Sequence, residues 1–322
     1  MLRYHRKYRS SPDYKQYFPA EPRTPSAADC PYQWWSWRDY RVYIHRLSDP
    51  AAPVKAILLH GGAGHGRMLI PYAALFDPGM VEAVIPDLPG YGLTQPGDKP
   101  VDYQDWIDCI VDLAAYEHDT DGRPIVLFGI SMGGMLGYTA AARSPTGRIS
   151  AVVATSLLDP TDPQARAAVS RCPKLGRRLS GVMNRTRLLD SCRVPVRWLT
   201  DINRITNNPD LNLAIRRDPM GGGNSVSWRF LRSYQASAPE VAQGQFSIPL
   251  LVLAHPACDR LTPVGLSKTF FDRLTCDKHY FTLDGAGHIP VEQVGLSRLQ
   301  ATMRTILTDI ASRTDHFSAE VE

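Results

Sequence analysis

The sequence predicts an α/β protein with a doubly wound, mostly parallel sheet of eight strands and an inserted helical lid. Three observations lead to this prediction. Short runs rich in Val, Ile and Leu alternate with longer helix-like stretches, as buried parallel strands alternate with crossover helices. A glycine-rich turn joins one of these runs directly to a helix-like stretch. A long segment rich in Arg and Pro then interrupts the alternation before it resumes.

The predicted strands follow one another at intervals that leave room for crossover helices. An aromatic stretch containing Trp34, Trp35 and Trp37 predicts a first strand. Apolar runs predict the others, at residues 42–47, 55–59, 81–85, 125–128, 149–155, 249–254 and 278–283. Helical periodicity predicts a helix at residues 135–143, after the fifth strand, and another at residues 291–312.

The alternation breaks between the strand at 149–155 and the strand at 249–254. This interval contains several prolines and the run Gly221-Gly222-Gly223. An unstructured loop of this length would be unusual inside a compact domain, so its short apolar segments predict helices. We therefore expect a helical lid at residues 159–246, a core made of residues 31–158 and 247–322, and an N-terminal arm at residues 1–30 that packs on the core.

The charge of the chain is nearly balanced overall but unevenly distributed. Its 36 Lys and Arg residues stand against 32 Asp and Glu, and this net charge of +4 argues against a dedicated nucleic-acid-binding protein. Residues 159–246 contain 14 basic and 7 acidic residues, whereas the core has an acidic excess. These charges could simply be solvent-exposed surface residues. Alternatively, a basic lid would attract anionic substrates or a lipid surface.

Several other classes of site and location are not favoured. The sequence has no clustered Cys and His at zinc spacing, no phosphate-binding loop and no dinucleotide fingerprint, so we expect neither a metal nor a cofactor. The six cysteines lack paired spacing and are expected to be free thiols. No apolar run is long enough to span a membrane, and residues 1–30 contain no secretory apolar region, which favours a cytoplasmic location. Nothing in the sequence indicates an oligomeric state.

The motif with the clearest chemistry is GISMGG at residues 129–134, which lies between an apolar strand and a helix-like stretch. A turn this tight strains the backbone of its central residue, and the glycines keep neighbouring side chains out of the way. Ser131 would therefore project its hydroxyl above the carboxyl ends of the strands, at a helix N-terminus that favours negative charge. The motif and its context predict a nucleophile elbow.

A serine hydroxyl is a poor nucleophile near neutral pH and needs a histidine base oriented by a carboxylate. His288 is the candidate base, because it follows the last predicted strand in a loop of small residues. Asp259 is the candidate carboxylate, because it lies just beyond the preceding strand. It could instead cap the helix that follows it, and Asp284 is a rival on the same loop as His288. The order serine, acid, histidine matches one known type of hydrolase triad.

Two backbone amides are needed to stabilise the oxyanion that forms when a serine attacks a carbonyl. The amide of Met132, at the start of the helix, is one candidate. The loop after the third strand, HGGAG at residues 60–64, offers the other. Gly62 is its best candidate, because glycine lets the backbone approach a substrate closely. His60 is interpreted as a histidine that braces this loop.

Together these motifs resemble those of the α/β-hydrolase superfamily, and within it the lidded monoacylglycerol lipases and lysophospholipase-like serine esterases. The resemblance covers about residues 40–310 and rests on HGG at 60–62, DLPGYG at 87–92, the elbow, the loop at 259–263 and Gly287-His288. It implies a lid after the sixth strand, oxyanion donors at Gly62 and Met132, and a purely structural role for Asp87. It also implies that a lipid-like or small-molecule carboxylic ester is hydrolysed through an acyl-enzyme on Ser131.

Three other functions share this arrangement. Carbon–carbon bond hydrolases of ring-cleavage products use the same triad, but the loop at residues 60–66 lacks the Gly-Pro-Gly that is typical of them. Proline iminopeptidases carry Pro after His-Gly-Gly and a lid glutamate, whereas Ala63 stands here and Glu240 is the one glutamate of the predicted lid. A hydrolase-fold protein that binds a small ligand without turnover is the third, and the full set of Ser, Asp and His argues against it.

The acyl chain and the alcohol of the substrate would be selected by the shape of the lid and the pocket. Large apolar side chains of the predicted lid are candidates for the pocket wall. They are Met183, Trp198, Met220, Trp228 and Phe230.

Overall fold

A computed structural model describes the fold over residues 10–19, 25–26, 29–77, 79–178, 183, 186–239 and 249–319. Within these residues, one large sheet is formed by β1 Tyr32–Trp37, β2 Tyr40–Leu47, β3 Val54–Leu59, β4 Val81–Pro86, β5 Ile125–Gly129, β6 Ile149–Ala154, β9 Leu251–Pro256 and β10 Lys278–Leu283. Two three-residue strands, β7 Arg193–Pro195 and β8 Ser225–Ser227, form a separate antiparallel pair.

The large sheet has eight strands in the order β1-β2-β4-β3-β5-β6-β9-β10. Strand β2 is antiparallel to its neighbours β1 and β4, and the remaining neighbours are parallel. The prediction of a mostly parallel eight-stranded α/β sheet is therefore confirmed. Because β3, β5, β6, β9 and β10 all run in the same direction, the loops that follow them meet at one edge of the sheet.

The α-helices lie between these strands, except the last one, which follows β10. In the described part of the chain they are α1 Ile70–Ala73, α2 Tyr103–Asp121, α3 Met132–Arg143, α4 Pro163–Val169, α5 Pro173–Arg178, α6 Val196–Leu199, α7 Pro209–Arg217, α8 Trp228–Ala236, α9 Val264–Asp272 and α10 Gln293–Ala319. Helix α2 begins with a capping box between Asp102 and Asp105 and ends at Gly122, whose φ of 74° suits glycine. Among the described helices, none combines the length and the apolar character that crossing a membrane requires.

Alternate residues of the central strands point into two separate apolar layers, one on each face of the sheet. In β3, Ile57 and Leu59 belong to one layer and Ala56 and Leu58 to the other, and all four are fully buried. Because both faces are covered, these strands consist almost entirely of apolar residues, which made them visible in the sequence.

The segment at residues 159–246, which we call the lid segment, connects β6 to β9. Its described residues contain helices α4 to α8 and the β7–β8 pair. Phe230 of α8 packs on Trp106 of α2 with ring centroids 4.7 Å apart, which anchors the segment to the core. The β7–β8 pair differs from the expectation of a purely helical lid, because strands of three residues are too short to show alternation in the sequence.

The N-terminal segment contacts the rest of the fold through residues 10–19. Tyr14 is 1% exposed and belongs to an apolar cluster with Ile202 of the lid segment and Val291. Other parts of the predicted arm, at residues 1–9, 20–24 and 27–28, lie outside the described residues, as does Glu240.

Candidate active site

Ser131 lies between the end of β5 and the start of α3, near the middle of the carboxyl edge of the sheet. Its backbone adopts φ 57° and ψ −127°, a combination that residues with a side chain rarely adopt. Both neighbouring strands hold the turn: the Ile130 amide donates to the Leu59 carbonyl (3.1 Å), and the Ser131 amide donates to Thr155 Oγ1 (3.0 Å). The backbone strain expected of a nucleophile elbow is present at Ser131.

The glycines after Ser131 are required by close packing of α3 on the sheet. A Cβ atom at Gly133 would lie 2.2 Å from the Leu59 carbonyl oxygen, and one at Gly134 would lie 2.3 Å from the Ser156 carbonyl oxygen. A methyl group does not fit at these distances, so only glycine lets the first turn of α3 rest directly on the strand ends.

His288 comes from the loop between β10 and α10 and reaches Ser131 across the carboxyl edge. Its Nε2 atom lies 2.7 Å from Ser131 Oγ. The loop is fixed by Glu292, whose carboxylate accepts hydrogen bonds from the amides of Gly287 (3.2 Å) and Val291 (3.0 Å). Two of the residues singled out in the sequence, which are 157 positions apart, are thus brought into direct contact.

Asp259 follows β9 and faces the other ring nitrogen of His288. Its Oδ2 atom lies 2.8 Å from His288 Nδ1 and accepts a second hydrogen bond from Thr262 Oγ1 at 2.6 Å. Its Oδ1 atom accepts from the amides of Leu261 (2.7 Å) and Thr262 (2.8 Å). Burial alone would raise the pKa of Asp259, but the charge of His288 and these hydrogen bonds together lower it below its ordinary value. The carboxylate is therefore ionised near neutral pH.

The rival acid, Asp284, lies at the surface with its side chain 60% exposed. Its carboxylate accepts a hydrogen bond from Thr282 Oγ1 (3.0 Å) and contacts Arg298 (3.5 Å). Asp259 does bind backbone amides, as the capping alternative proposed, but they belong to the turn before α9, whose N-cap is Pro263. One carboxylate thus fixes its own loop and also faces the histidine.

The two residues singled out as oxyanion donors, Gly62 and Met132, line the same cavity as Ser131. The Met132 side chain covers Gly62, because a Cβ atom on Gly62 would lie 3.0 Å from Met132 Cε. Gly61 also approaches Ser131, and a Cβ atom on Gly61 would lie 3.4 Å from Ser131 Oγ. In the described part of the chain, neither the Gly62 amide nor the Met132 amide has an acceptor. Both are open to a ligand.

His60 and Asp87 hold the loop that follows β3. The Leu88 amide donates to His60 Nε2 (3.1 Å), so the ring proton sits on Nδ1 and is donated to the Gly61 carbonyl (2.8 Å). Burial lowers the pKa of His60 to about 3, and the ring is neutral near neutral pH. On the other side, Asp87 Oδ1 accepts from the Gly66 amide at 2.6 Å. Both side chains thus brace the backbone of the loop.

The motifs at this edge of the sheet are those of one large family. The model of the alpha/beta hydrolase family matches residues 56–295, a range that contains the elbow, the acid and histidine loops and the lid segment. The chain belongs to the alpha/beta hydrolase family. Comparison of its sequence with curated proteins gives no significant match.

Solved structures of lipases and esterases share the fold of this hydrolase. A soluble variant of monoglyceride lipase from Saccharomyces cerevisiae, in complex with a substrate analog, superposes with a TM-score of 0.70 at 15% identity, over 91% of this chain and 98% of that one. Monoacylglycerol lipase from Paleococcus ferrophilus gives 0.61 at 20% identity, over 84% and 98%. A thermophilic esterase from Thermogutta terrifontis gives 0.57 at 18%, over 84% and 95%. At these identities the likeness establishes the fold.

A cavity of about 290 Å³ opens onto Ser131 and His288 of this hydrolase, and its wall is mostly apolar. Large side chains of the lid segment that were candidates for the wall do line it, namely Met183, Trp198, Trp228 and Phe230. Met220 is not part of the wall: it is buried elsewhere, and its amide donates to Asp218 Oδ1 (2.9 Å). The lid segment therefore forms much of the space in which a substrate would lie.

A second buried carboxylate–histidine pair was not singled out in the sequence. Asp218 Oδ2, in the lid segment, accepts hydrogen bonds from His65 Nε2 (2.8 Å), Tyr14 Oη (2.6 Å) and Ser11 Oγ (2.8 Å). Burial alone would raise the pKa of Asp218, but the charge of His65 and the hydrogen bonds from His65 and Tyr14 lower it to about 2. One oxygen atom thus joins the lid segment, the loop after β3 and the N-terminal segment.

Proposed function

We propose that this chain is a serine hydrolase that cleaves a carboxylic ester through an acyl-enzyme intermediate on Ser131. Two contacts support this proposal most directly: Ser131 Oγ lies 2.7 Å from His288 Nε2, and His288 Nδ1 lies 2.8 Å from Asp259 Oδ2. Ser131 and His288 also line the cavity. The structural relatives include lipases and esterases, which supports an ester as the substrate.

In the proposed reaction, His288 Nε2 takes the proton of the Ser131 hydroxyl while Oγ attacks the ester carbonyl. The Nδ1 proton stays between His288 and Asp259, whose negative charge stabilises the imidazolium. His288 then gives the proton on Nε2 to the leaving alcohol, and the acyl group remains on Ser131. A water molecule next gives a proton to His288 and attacks the acyl carbonyl, after which His288 returns that proton to Ser131 Oγ and the carboxylic acid leaves.

The oxyanion that forms in both steps would accept hydrogen bonds from the amides of Gly62 and Met132. Since the Met132 amide is the first of α3, the partial positive charge of the helix N-terminus lies at the same point. Donors of this kind stabilise the transition state more than the ground state, and loss of one slows related reactions by about 100- to 1000-fold.

The proposal is tested with a fluorophosphonate probe, which labels activated serines. We expect the native chain to be labelled and the Ser131→Ala variant to remain unlabelled at equal thermal stability. A p-nitrophenyl ester series from acetate to palmitate then measures the preferred acyl length. Labelling that persists in Ser131→Ala would refute the catalytic role of Ser131. A native chain that is not labelled would refute it too and would favour a binding protein.

The bond that is cleaved needs a separate test, because carbon–carbon bond hydrolases and iminopeptidases use the same triad. We expect the labelled protein to hydrolyse esters faster than a dienoic ring-cleavage product or a prolyl amide. If it cleaves one of those two substrates and no ester, the enzyme assignment stands and the ester assignment is wrong.

We also propose that the lid segment contacts an anionic lipid surface near the mouth of the cavity. Leu188 is 100% exposed, Trp198 64% and Leu175 57%, and the last two also line the cavity. Exposed apolar side chains within a basic segment are typical of surfaces that associate with lipid. The excess of basic residues at positions 159–246, 14 against 7, supports an anionic surface.

A further inference from the structure

The cavity wall contains a buried cation that forms no ion pair with a carboxylate of the described residues. Arg166, on α4 of the lid segment, is 7% exposed and lines the cavity that opens onto Ser131 and His288. Among the described lining residues it is the one Lys or Arg, and none is Asp or Glu. The rest of the wall is mostly apolar. The described lining residues therefore offer the positive charge of Arg166 no opposite charge.

Neutral groups hold the guanidinium of Arg166 in place. Its Nη1 atom donates to the carbonyls of Pro160 (3.1 Å) and Thr161 (2.6 Å), and its Nε donates to the Gly176 carbonyl at 3.4 Å. Within the described residues, Nη2 has no acceptor. The carbonyl dipoles fix the position of the side chain, but they leave its charge uncompensated and two of its N–H groups unused.

The two acids nearest to Arg166 in the sequence are occupied elsewhere. Asp159 Oδ1 accepts from the amide (2.7 Å) and the hydroxyl (2.5 Å) of Thr161. Asp162 is the N-cap of α4 and accepts from the Gln164 amide at 2.7 Å. Each carboxylate thus stabilises a local turn instead of pairing with Arg166.

Three more polar groups of the same wall lack partners. Tyr91 Oη, Thr200 Oγ1 and Gln235 Oε1 are buried atoms without a hydrogen bond in the described part of the chain, and all three residues line the cavity. Buried polar atoms without a partner cost free energy, so the side chains of this wall do not fully satisfy one another.

A carboxylate on an otherwise apolar ligand would suit both Arg166 and the apolar part of the wall. It would compensate the buried charge, accept the free Nη2 donors in a charge-assisted hydrogen bond, and remain attached to an apolar chain that packs on the rest of the wall. A neutral lipid chain would leave the charge unpaired.

We propose that Arg166 is a specificity-determining residue that binds an ionised carboxylate on the substrate. The inference rests on the proposed ester hydrolysis and narrows its substrate class to esters that carry a second, ionised carboxyl group. Two kinds of ester have this chemistry: half-esters of dicarboxylic acids, with the charge on the acyl side, and acyl esters of hydroxy acids, with the charge on the alcohol side.

The experiment compares charged and neutral esters of equal length on the native chain. The acyl series consists of mono-p-nitrophenyl esters of dicarboxylic acids from succinate to sebacate, each with its methyl-capped neutral counterpart. The alcohol series consists of hexanoyl esters of para-hydroxybenzoic acid and of its methyl ester. In one of the two series we expect kcat/KM for the charged ester to exceed that of the neutral ester by about ten- to a hundredfold.

Three variants locate the preference at Arg166. Arg166→Met should lower the charged-to-neutral ratio to about one or less, and Arg166→Lys should keep part of it because the charge remains while the planar fork is lost. Arg217→Met, an exposed arginine of the same segment, should leave the ratio unchanged. The ratio should also persist at high ionic strength, since a buried contact is screened less than surface steering.

The outcomes separate this inference from the proposed function. Two outcomes would overturn the role of Arg166 and leave the proposed ester hydrolysis standing. One is equal kcat/KM for charged and neutral esters in both series. The other is a preference for charged esters that survives in an Arg166→Met variant still active on neutral esters. If Arg166→Met does not fold, the charged-to-neutral ratio of kcat/KM on the native chain tests the inference. Calorimetry with Ser131→Ala provides a second test, in which we expect a charged half-ester to bind more tightly than its neutral counterpart. Absence of all ester hydrolysis and of serine labelling overturns the proposed function instead.

Discussion

Replacing Asp259 by Asn should abolish most of the ester hydrolysis while leaving the fold in place. Asp259 Oδ1 accepts two backbone amides, from Leu261 and Thr262, and a carbonyl oxygen of Asn would take over this position. The Asn NH₂ group would then occupy the position of Oδ2 and donate to His288 Nδ1. The proton of the neutral ring would be forced onto Nε2, the atom that must accept the proton of Ser131.

In the Asp259→Asn variant, His288 therefore keeps a hydrogen bond at Nδ1 but carries its proton on the wrong nitrogen. A triad in this state loses about 10⁴-fold in kcat, which corresponds to about 5 kcal/mol of activation free energy. KM should change little, because Asp259 does not line the cavity. The free energy of unfolding should fall only moderately, since the amides of the loop keep an acceptor.

The assay is p-nitrophenyl ester hydrolysis with urea unfolding measured on the same samples. Asp284→Asn is the matched control: it removes a carboxylate from the loop of His288, but an exposed one, so kcat should stay within about twofold of the native value. A folded Asp259→Asn variant that keeps more than about a tenth of the native kcat would refute the tautomer argument.

Two further predictions concern the lid segment. The depressed pKa of Asp218 means that its ionised form stabilises the fold above about pH 4 and that this contribution, about 2 kcal/mol, is lost as the pH falls toward 2. The difference in unfolding free energy between the native chain and Asp218→Asn should therefore shrink over this range, and a difference independent of pH would show that Asp218 acts by packing alone. In sedimentation with vesicles, the native chain should bind phosphatidylserine more than phosphatidylcholine, with less binding at high salt, and Leu188→Asp should bind less. Equal sedimentation with both lipids would contradict the proposed lipid contact.

The sheet could be predicted because its central strands are covered on both faces. Strands such as β3, whose six residues are all buried, stand out as apolar runs. The ends of the strands are less clear from the sequence. Apolar residues predict β9 at residues 249–254, but it spans Leu251–Pro256, because its pairing with β10 and not its hydropathy determines where it begins and ends. Helix α3 likewise begins at Met132 and not at residue 135, since packing overrides the low helix propensity of its glycines.

The residues around Ser131 could be found in the sequence because each follows a strand of a sheet whose carboxyl edge was already predicted. Asp259 and Asp284 both follow a strand, and Asp259 is favoured because Asp284 lies on the same loop as His288, too close in the sequence to reach across the sheet edge. Contacts made by the lid segment could not be predicted in this way, because its residues do not follow strands of the large sheet. Asp218 lies 153 positions after His65, and neither residue follows a pattern that would link the two. The same is true of Arg166, because the sequence does not distinguish this buried arginine from the other arginines of the lid segment.

Because three segments of the chain meet at Asp218, the order in which they are synthesised limits when they can come together. Tyr14 is 204 positions before its partner, so the N-terminal segment leaves the ribosome long before the residue that receives it. Until Asp218 has emerged, the hydroxyls of Ser11 and Tyr14 have no acceptor at this place. Nascent chains that end before Asp218 should expose residues 10–18 to protease, and these residues should reach their final positions only after the lid segment has been synthesised.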